Sequence, residues 1–451
     1  MSTPYHAQYW AYALTLRGAT DTVDNLSRAI SNARVDLNPH QVDAALFAVR
    51  SPLSKGVILA DEVGLGKTIE AALVIAQRWA ERRRRILIVV PASLRRQWAQ
   101  ELEEKFFLPA LVLDTVSEKR LRAEKILNPF FLTDRIAICS YHYAAARQDL
   151  VKEVPWDLVV IDEAHRLRNV YKPGAKTARA LVSALEGRQK ILLTATPLQN
   201  SLMELYGLVS VVDPHVFGDP TSFRDQFVRA PDEAARDRAL RQRLAEVCRR
   251  TLRRQVLEHV RFTRRIPITQ EFRPTDHEQA LYDRVSEYLR RPTLLALPNS
   301  QRTLMTMVLR KLLASSSFAI GATLSALIGR LRNVEADLAA TVARDFEGLD
   351  ELVDELDGEE EEEENRIDPA LLAEELGELS EALQLSEGIA ENAKGEALLR
   401  ALARALELAV SKGAANKAVV FTESRRTQDY LARLLENNGY AGRILTLNGT
   451  N

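Results

Sequence analysis

The chain has 451 residues, 46% hydrophobic and 27% charged, which suits a soluble globular protein of two or three domains. Its two cysteines, Cys139 and Cys248, exclude a disulfide framework and a zinc site, and its seven histidines form no metal-ligand cluster. A net charge of −1 excludes strong global attraction to nucleic acid. No signal peptide or bilayer-length apolar run occurs, so the expected location is the cytoplasm, with no membrane partner.

Residues 1–55 read as an N-terminal helical segment ending in "LNPHQVDAALFAV", with Pro39 near a helix start. Residues 56–215 alternate apolar strands with helical segments and form the first domain. The strands expected there are Val57–Leu59, Ile86–Val90, Ala110–Leu113, Ile136–Ser140, Leu158–Ile161 and Ile191–Thr194. That alternation predicts an α/β layer with a largely parallel sheet, and ligands lie at the carboxyl ends of such strands. Residues 216–333 read as an arginine-rich helical extension: helix from Val216 to Arg265, a strand-like "RIPITQEFR", then helices from Asp276 to about Leu331. Residues 334–393 read as an acidic linker, exposed helix around a flexible centre. A second α/β pattern fills 394–451: a helix, the strand Lys417–Thr422, the helix Thr427–Asn437 and the strand Ile444–Leu447. Two strands cannot make an independently stable parallel sheet, so this second lobe is expected to be incomplete.

The chemistry concentrates in "VILADEVGLGKTIEAALVIA" at 57–76. Gly66-Lys67-Thr68 supplies the end of the phosphate-loop pattern, whereas its first glycine would fall at Asp61. The context fits: a buried strand, then Gly64, Leu65 and Gly66 in a loop whose amides turn inward. A helix follows with Ile69, Ala72, Leu73 and Ala76 on one face. Lys67 would reach the β- and γ-phosphates and Thr68 would hold Mg²⁺. "WDLVVIDEAHRLRN" supplies the second element, acidic residues at a strand end: Asp162 to hold the metal and Glu163 to polarise the attacking water.

With these residues in place, the chain resembles superfamily-two nucleic-acid translocases of the SWI/SNF-like group, in its RapA/HepA-like bacterial branch. The resemblance covers most of 38–270 and resumes at 417–451. "PHQ" at 39–41 resembles the family's Q motif, which implies that Gln41 reads adenine. "DEVGLGKT" at 61–68 resembles this group's phosphate loop, where an aspartate commonly stands in for the first glycine. "PASLRRQW" at 91–98 resembles motif Ia, and "CSYHY" at 139–143 sits where the family's "TTYE"-like segment would be. "DEAHRLRN" at 162–169 resembles motif II, and "LLTATPLQN" at 192–200 motif III. "TLRR" at 251–254 resembles the arginine-rich end of the first lobe, while "KAVVFTESRRTQDYLARLL" and "LNGTN" open the second. The implied fold is a RecA-like lobe of the phosphate-loop NTPase class, then helical insertions and an incomplete second RecA-like lobe.

The resemblance implies roles. His165 would couple hydrolysis to movement, the alternative being a hydrogen bond beside the strand end. Ser93, Arg95, Thr194 and Thr196 would contact the nucleic-acid strand or link it to ATP, the two threonines reading alternatively as a helix cap before Pro197. Trp98 reads as core packing on an amphipathic helix. Arg253 and Arg254 either brace the lobes, contact nucleotide or form a solvated face. The acidic run 359–364 is a solvated linker or, more sharply, a mimic of nucleic acid whose deletion would change DNA affinity. The expected function is an ATP- and Mg²⁺-dependent motor on double-stranded DNA, with RNA the lesser candidate, in polymerase recycling, remodelling or anti-phage defence. Motifs V and VI are missing from the sequence. Arginine contacts of their kind contribute roughly 10³–10⁵ in rate, so the expectation is ATP binding with poor turnover unless another polypeptide or larger complex completes the engine. The alternative is a nucleotide-gated binding or scaffold protein. A transporter ATPase, a guanine-nucleotide switch and a protein kinase are excluded: there is no LSGGQ-like signature, "ANKA" at 415–418 lacks the required aspartate, and the kinase signatures are absent.

Overall fold

The structure, a computed structural model, describes residues 33–35, 37–50, 55–197, 201–258, 266–291, 294–297, 302–332, 369–389 and 392–447. They fall into two compact units, Met1–Thr263 and Arg264–Asn451.

In the first unit, α1 (Pro39–Arg50) starts on its proline, whose missing N–H costs nothing in a first turn. Next come β1 (Gly56–Leu59), α2 (Lys67–Ala80), β2 (Ile86–Val90), α3 (Arg95–Phe106) and β3 (Ala110–Val112). Then follow β4 (Ile136–Ser140), β5 (Leu158–Ile161), α4 (Lys176–Ala184), β6 (Lys190–Leu193) and α5 (Leu202–Val212). α6 (Glu233–Leu244) and the short β7 (Cys248–Arg249) complete the unit. The sheet order is β3-β4-β2-β5-β6-β1-β7, and every pairing is parallel. All loops after the strands therefore emerge at one edge.

The strands are apolar throughout because both faces of the sheet are covered. Alternate residues enter different cores. Ile58, Leu87, Val89, Ala137, Val159, Ile161 and Leu192 pack into one cluster, and Val57, Leu59, Ile86, Ile88, Ile138, Val160 and Ile191 into the other. The second cluster includes α1 and α2. Trapped between α1 and the sheet, α2 is buried continuously from Glu70 to Arg78, where the sequence predicts one apolar stripe.

The strands predicted at Ile86, Ile136 and Leu158 match residue for residue, those at Val57 and Ala110 differ by a residue at one end, and that at Ile191 is offset by a residue at both. The arginine-rich stretch 216–265 departs from expectation. Among the described residues the last α-helix there is α6; β7 then pairs with β1, the amides of Ile58 and Ala60 donating to Val247 O and Arg249 O, and a 3₁₀ turn follows at Arg253–Gln255. Residues 259–265 lie outside the described residues.

In the second unit, α7 (Asp276–Leu289), α8 (Arg302–Ser315), α9 (Ser317–Leu331) and α10 (Pro369–Gly388) share one apolar core. α10 corrects the expectation of an exposed acidic helix. Leu379 and Ala382 are buried, and so is Glu375, which accepts the Tyr288 hydroxyl (2.9 Å) and the amides of Leu295 (2.8 Å) and Ala296 (2.9 Å). An acidic residue enters the core here because three donors converge on it. The remainder of the acidic segment, with 359–364, lies outside the described residues.

α11 (Ala393–Ser411) and α12 (Arg425–Leu435) follow. The predicted strands Lys417–Thr422 and Ile444–Leu447 are not in a sheet. Phe421 is 90% exposed and Leu445 81%. Among the described residues no strand stands beside either segment, so neither forms a ladder. Nor do residues 266–273, which contain most of "RIPITQEFR", form a strand; they run unpaired as well.

Candidate functional site

The edge where β1, β5 and β6 end collects the residues singled out by sequence. β6 lies between β1 and β5, which puts the loop after β1 about 10 Å from the end of β5, two inter-strand spacings.

That loop turns twice through left-handed backbone, at Gly64 (φ +84°) and Gly66 (φ +91°). The positive φ favours glycine at 66, and a Cβ there would lie 2.4 Å from Gln41 Nε2 and displace that side chain. α2 begins directly after it, with Ile69 and Glu70 donating to Gly66 O. The amides of Lys67 and Thr68 precede the first intrahelical bond and face outward from a helix N-terminus. Lys67 Nζ donates to the Asp61 carbonyl at 2.9 Å. Leu65 is buried and its carbonyl accepts both Gln41 Nε2 and His40 Nε2, each at 3.0 Å. Gln41 Oε1 takes the Asn38 amide at 3.2 Å. Gln41 thus spends both ends of its amide on the chain itself, bracing the loop from α1.

Asp61 is fully buried. Its Oδ1 accepts the Thr251 amide at 2.6 Å, and Glu62 Oε2 accepts the Arg253 amide at 2.7 Å. Arg253 then folds its guanidinium onto the loop, giving Val63 O two N–H bonds at 2.6 and 3.1 Å. This contact to the phosphate loop is none of the roles expected of Arg253. Arg254 is exposed.

At the end of β5, Asp162 is held on three sides. The Trp98 indole N–H donates to Oδ2 (2.8 Å), the Glu163 amide to Oδ1 (2.8 Å), and the Tyr141 hydroxyl to its carbonyl (2.6 Å). Burial pushes the Asp162 carboxyl above its ordinary value, and the Trp98 and Glu163 donors pull the other way. Glu163 adopts φ +49°, uncommon for a residue with a side chain. Its Oε2 lies 3.1 Å from His165 Nδ1. That contact, first among its causes, holds the Glu163 carboxyl below the ordinary range. The Lys67 ammonium acts on both carboxylates and favours their ionised forms.

The expected strand-contact residues separate. Ser93 and Thr196 are exposed, and Arg95 is half-buried, its Nε donating to Ala92 O at 3.0 Å. Thr194 is a correction. It is fully buried and its hydroxyl accepts the Thr196 amide at 3.2 Å, so no nucleic-acid strand can touch it. Of the motif III run, Leu198, Gln199 and Asn200 lie outside the described residues.

This donor set suits a triphosphate with a hard divalent cation: outward amides, one ammonium, a hydroxyl and a buried carboxylate with lone pairs to spare. Two features escaped the sequence reading. Trp98 was read as core, although a buried indole N–H demands an acceptor. Asp61 was read as a stand-in for glycine, although a carboxylate there demands donors.

A family model described as the SNF2-related domain matches residues 31–333. The chain is 30% identical over 404 residues to "Uncharacterized ATP-dependent helicase YqhH" of Bacillus subtilis (strain 168), covering 89% of this chain and 60% of that protein. It is 31% identical over 240 residues to "DNA repair and recombination protein RAD54B" of Mus musculus, covering 49% of this chain and 26% of that one. Among solved structures, the Sulfolobus solfataricus SWI2/SNF2 ATPase core in complex with dsDNA aligns with a TM-score of 0.42 at 19% identity, over 63% of this chain and 59% of that one.

Proposed function

The chain belongs to the SNF2-related domain family, and from that premise we propose that it is the ATP-binding part of a motor that moves along double-stranded DNA. The observation that carries this reading is one edge of one sheet bearing both the Lys67 loop and the Asp162–Glu163–His165 cluster, with Lys67 acting on both carboxylates.

Each residue then has a task. The loop amides and Lys67 bind the β- and γ-phosphates. Thr68 and Asp162 hold Mg²⁺, which neutralises charge on the phosphate oxygens. Glu163, whose Oε2 lies 3.1 Å from His165 Nδ1, has Oε1 to accept a proton from water. His165 orients it, and a shift of His165 with strand movement would misalign that base. Gln41 braces the loop. Ser93, Arg95 and Thr196 contact the DNA backbone, which implies weak sequence preference and steep salt dependence. The chain spans 60% of YqhH and 26% of mouse RAD54B.

The test is adenine-nucleotide binding by calorimetry and ATP turnover with and without duplex DNA, on the chain and its Lys67→Ala and Glu163→Gln variants. The expected result is Mg²⁺-dependent binding lost in Lys67→Ala, and turnover lost with binding kept in Glu163→Gln. No nucleotide binding by the parent chain overturns the reading. Binding without DNA-stimulated turnover in the complete assembly describes a nucleotide-gated scaffold instead.

A further inference from the structure

Trp98 is 2% exposed, on α3, among the apolar side chains of the sheet's second cluster. A phenyl ring would fill such surroundings. What an indole adds is its N–H, and that N–H goes to Asp162 Oδ2 at 2.8 Å. The donor to the other oxygen, the Glu163 amide, belongs to the same turn and moves with it. Tyr141 holds the backbone carbonyl and leaves the side chain free to rotate. Of these three bonds, the one from Trp98 alone fixes the carboxylate against a separate element.

We propose that Trp98 is a positioning residue for Asp162: its indole N–H sets the rotation of the carboxylate so that the remaining lone pairs face Mg²⁺. The inference rests on the reading of Asp162 as the metal-holding residue. It gives α3 a second duty. The helix opens at Arg95, one turn before Trp98, so the element expected to meet the DNA backbone also carries the donor that orients the metal ligand.

Outer-sphere hydrogen-bond partners of metal ligands typically change metal affinity by about 10–100-fold when removed. The experiment uses the full chain, the Trp98→Phe and Asp162→Asn variants, and a chain with 3-benzothienylalanine at 98, which keeps the bicyclic shape and has sulfur in place of N–H. Binding of a fluorescent ADP analogue is titrated against Mg²⁺, with thermal unfolding alongside. The expected outcome is a rise of about 10-fold or more in half-saturating Mg²⁺ for both position-98 variants, with metal-free nucleotide binding unchanged. The benzothienyl chain should unfold near the parent midpoint, which separates positioning from packing. A benzothienyl chain with parental Mg²⁺ dependence, while Asp162→Asn loses it, overturns the role of Trp98 and leaves the metal site standing. An Asp162→Asn chain with parental Mg²⁺ dependence overturns both.

Discussion

Glu70 and Asp61 are carboxylates with no access to water, both 0% exposed. Among the described residues no N–H or other O–H reaches either oxygen of Glu70 or Asp61 Oδ2, and a proton on Glu70 supplies the donor that the two carboxyl groups otherwise lack. Burial first, then the Asp61 charge, pushes the Glu70 carboxyl from 4.5 to about 9; the Lys67 ammonium and the Arg249 guanidinium oppose the shift. Between those values the folded chain holds a proton that the unfolded chain has released. Stability is therefore fully present below about pH 4.5, falls as pH rises, and levels off above about pH 9. The slope reaches about 1.4 kcal/mol per pH unit. Glu70→Gln keeps a donor for Asp61 and removes the titration. It should unfold with a flatter pH profile and exceed the parent in stability at pH 9, as measured by urea unfolding at pH 5, 7 and 9. Parallel profiles would refute the proton on Glu70.

At this scale the sequence exposes what reacts and conceals what holds it. Lys67, Thr68, Asp162 and Glu163 were legible because phosphate and metal chemistry admits few residue types at fixed spacing. Trp98 and Asp61 were not, because they have partners distant in sequence: the Trp98–Asp162 bond spans 64 residues and the Asp61–Thr251 bond 190. Thr194 misled for a related reason. A threonine in a motif shows that a hydroxyl is needed, not whether it faces outward or, as here, the Thr196 amide.

Among the elements, β7 and the residues after it form a clip on the phosphate loop. The pairing of β1 with β7 continues past the strands as Ala60 N to Arg249 O (2.7 Å), Glu62 N to Thr251 O (3.1 Å) and the Arg253 bonds to Val63 O. Pattern analysis cannot see this strand, since two residues, Cys248 and Arg249, show no alternation. Removing the guanidinium unfastens the loop and leaves Lys67 and Thr68 untouched. Arg253→Ala should weaken nucleotide binding by about 10-fold, the equivalent of one charge-assisted hydrogen bond. Arg253→Lys should recover part of it, because one ammonium supplies a single directed donor where the planar fork supplies two. Amide exchange of Val63 and Gly64 should quicken in the alanine variant. Unchanged affinity and exchange would show that the clip is incidental. In α10, Glu375→Ala strands two amides and a phenol in an apolar core, and should cost about 3–5 kcal/mol in unfolding of the second unit. A loss below about 1 kcal/mol would mean that those donors find water.

For the whole molecule, the separation into Met1–Thr263 and Arg264–Asn451 follows from where apolar surface is buried. The sheet's two clusters draw only on residues 33–248, and the helical cluster only on residues 281–389. A unit with its own core unfolds as its own cooperative step. All residues assigned to nucleotide, from the Lys67 loop to His165, lie in the first unit. A ligand stabilises only the state that binds it, by about 2.7 kcal/mol at a concentration 100 times its Kd. Calorimetry of the chain should therefore give two transitions, and saturating Mg²⁺–ADP should raise one while the other stays in place. Lys67→Ala should abolish that shift, and Glu375→Ala should lower only the transition that the nucleotide leaves alone. One transition that moves as a whole, with nucleotide and with both substitutions, would mean that the two cores unfold as one cooperative body.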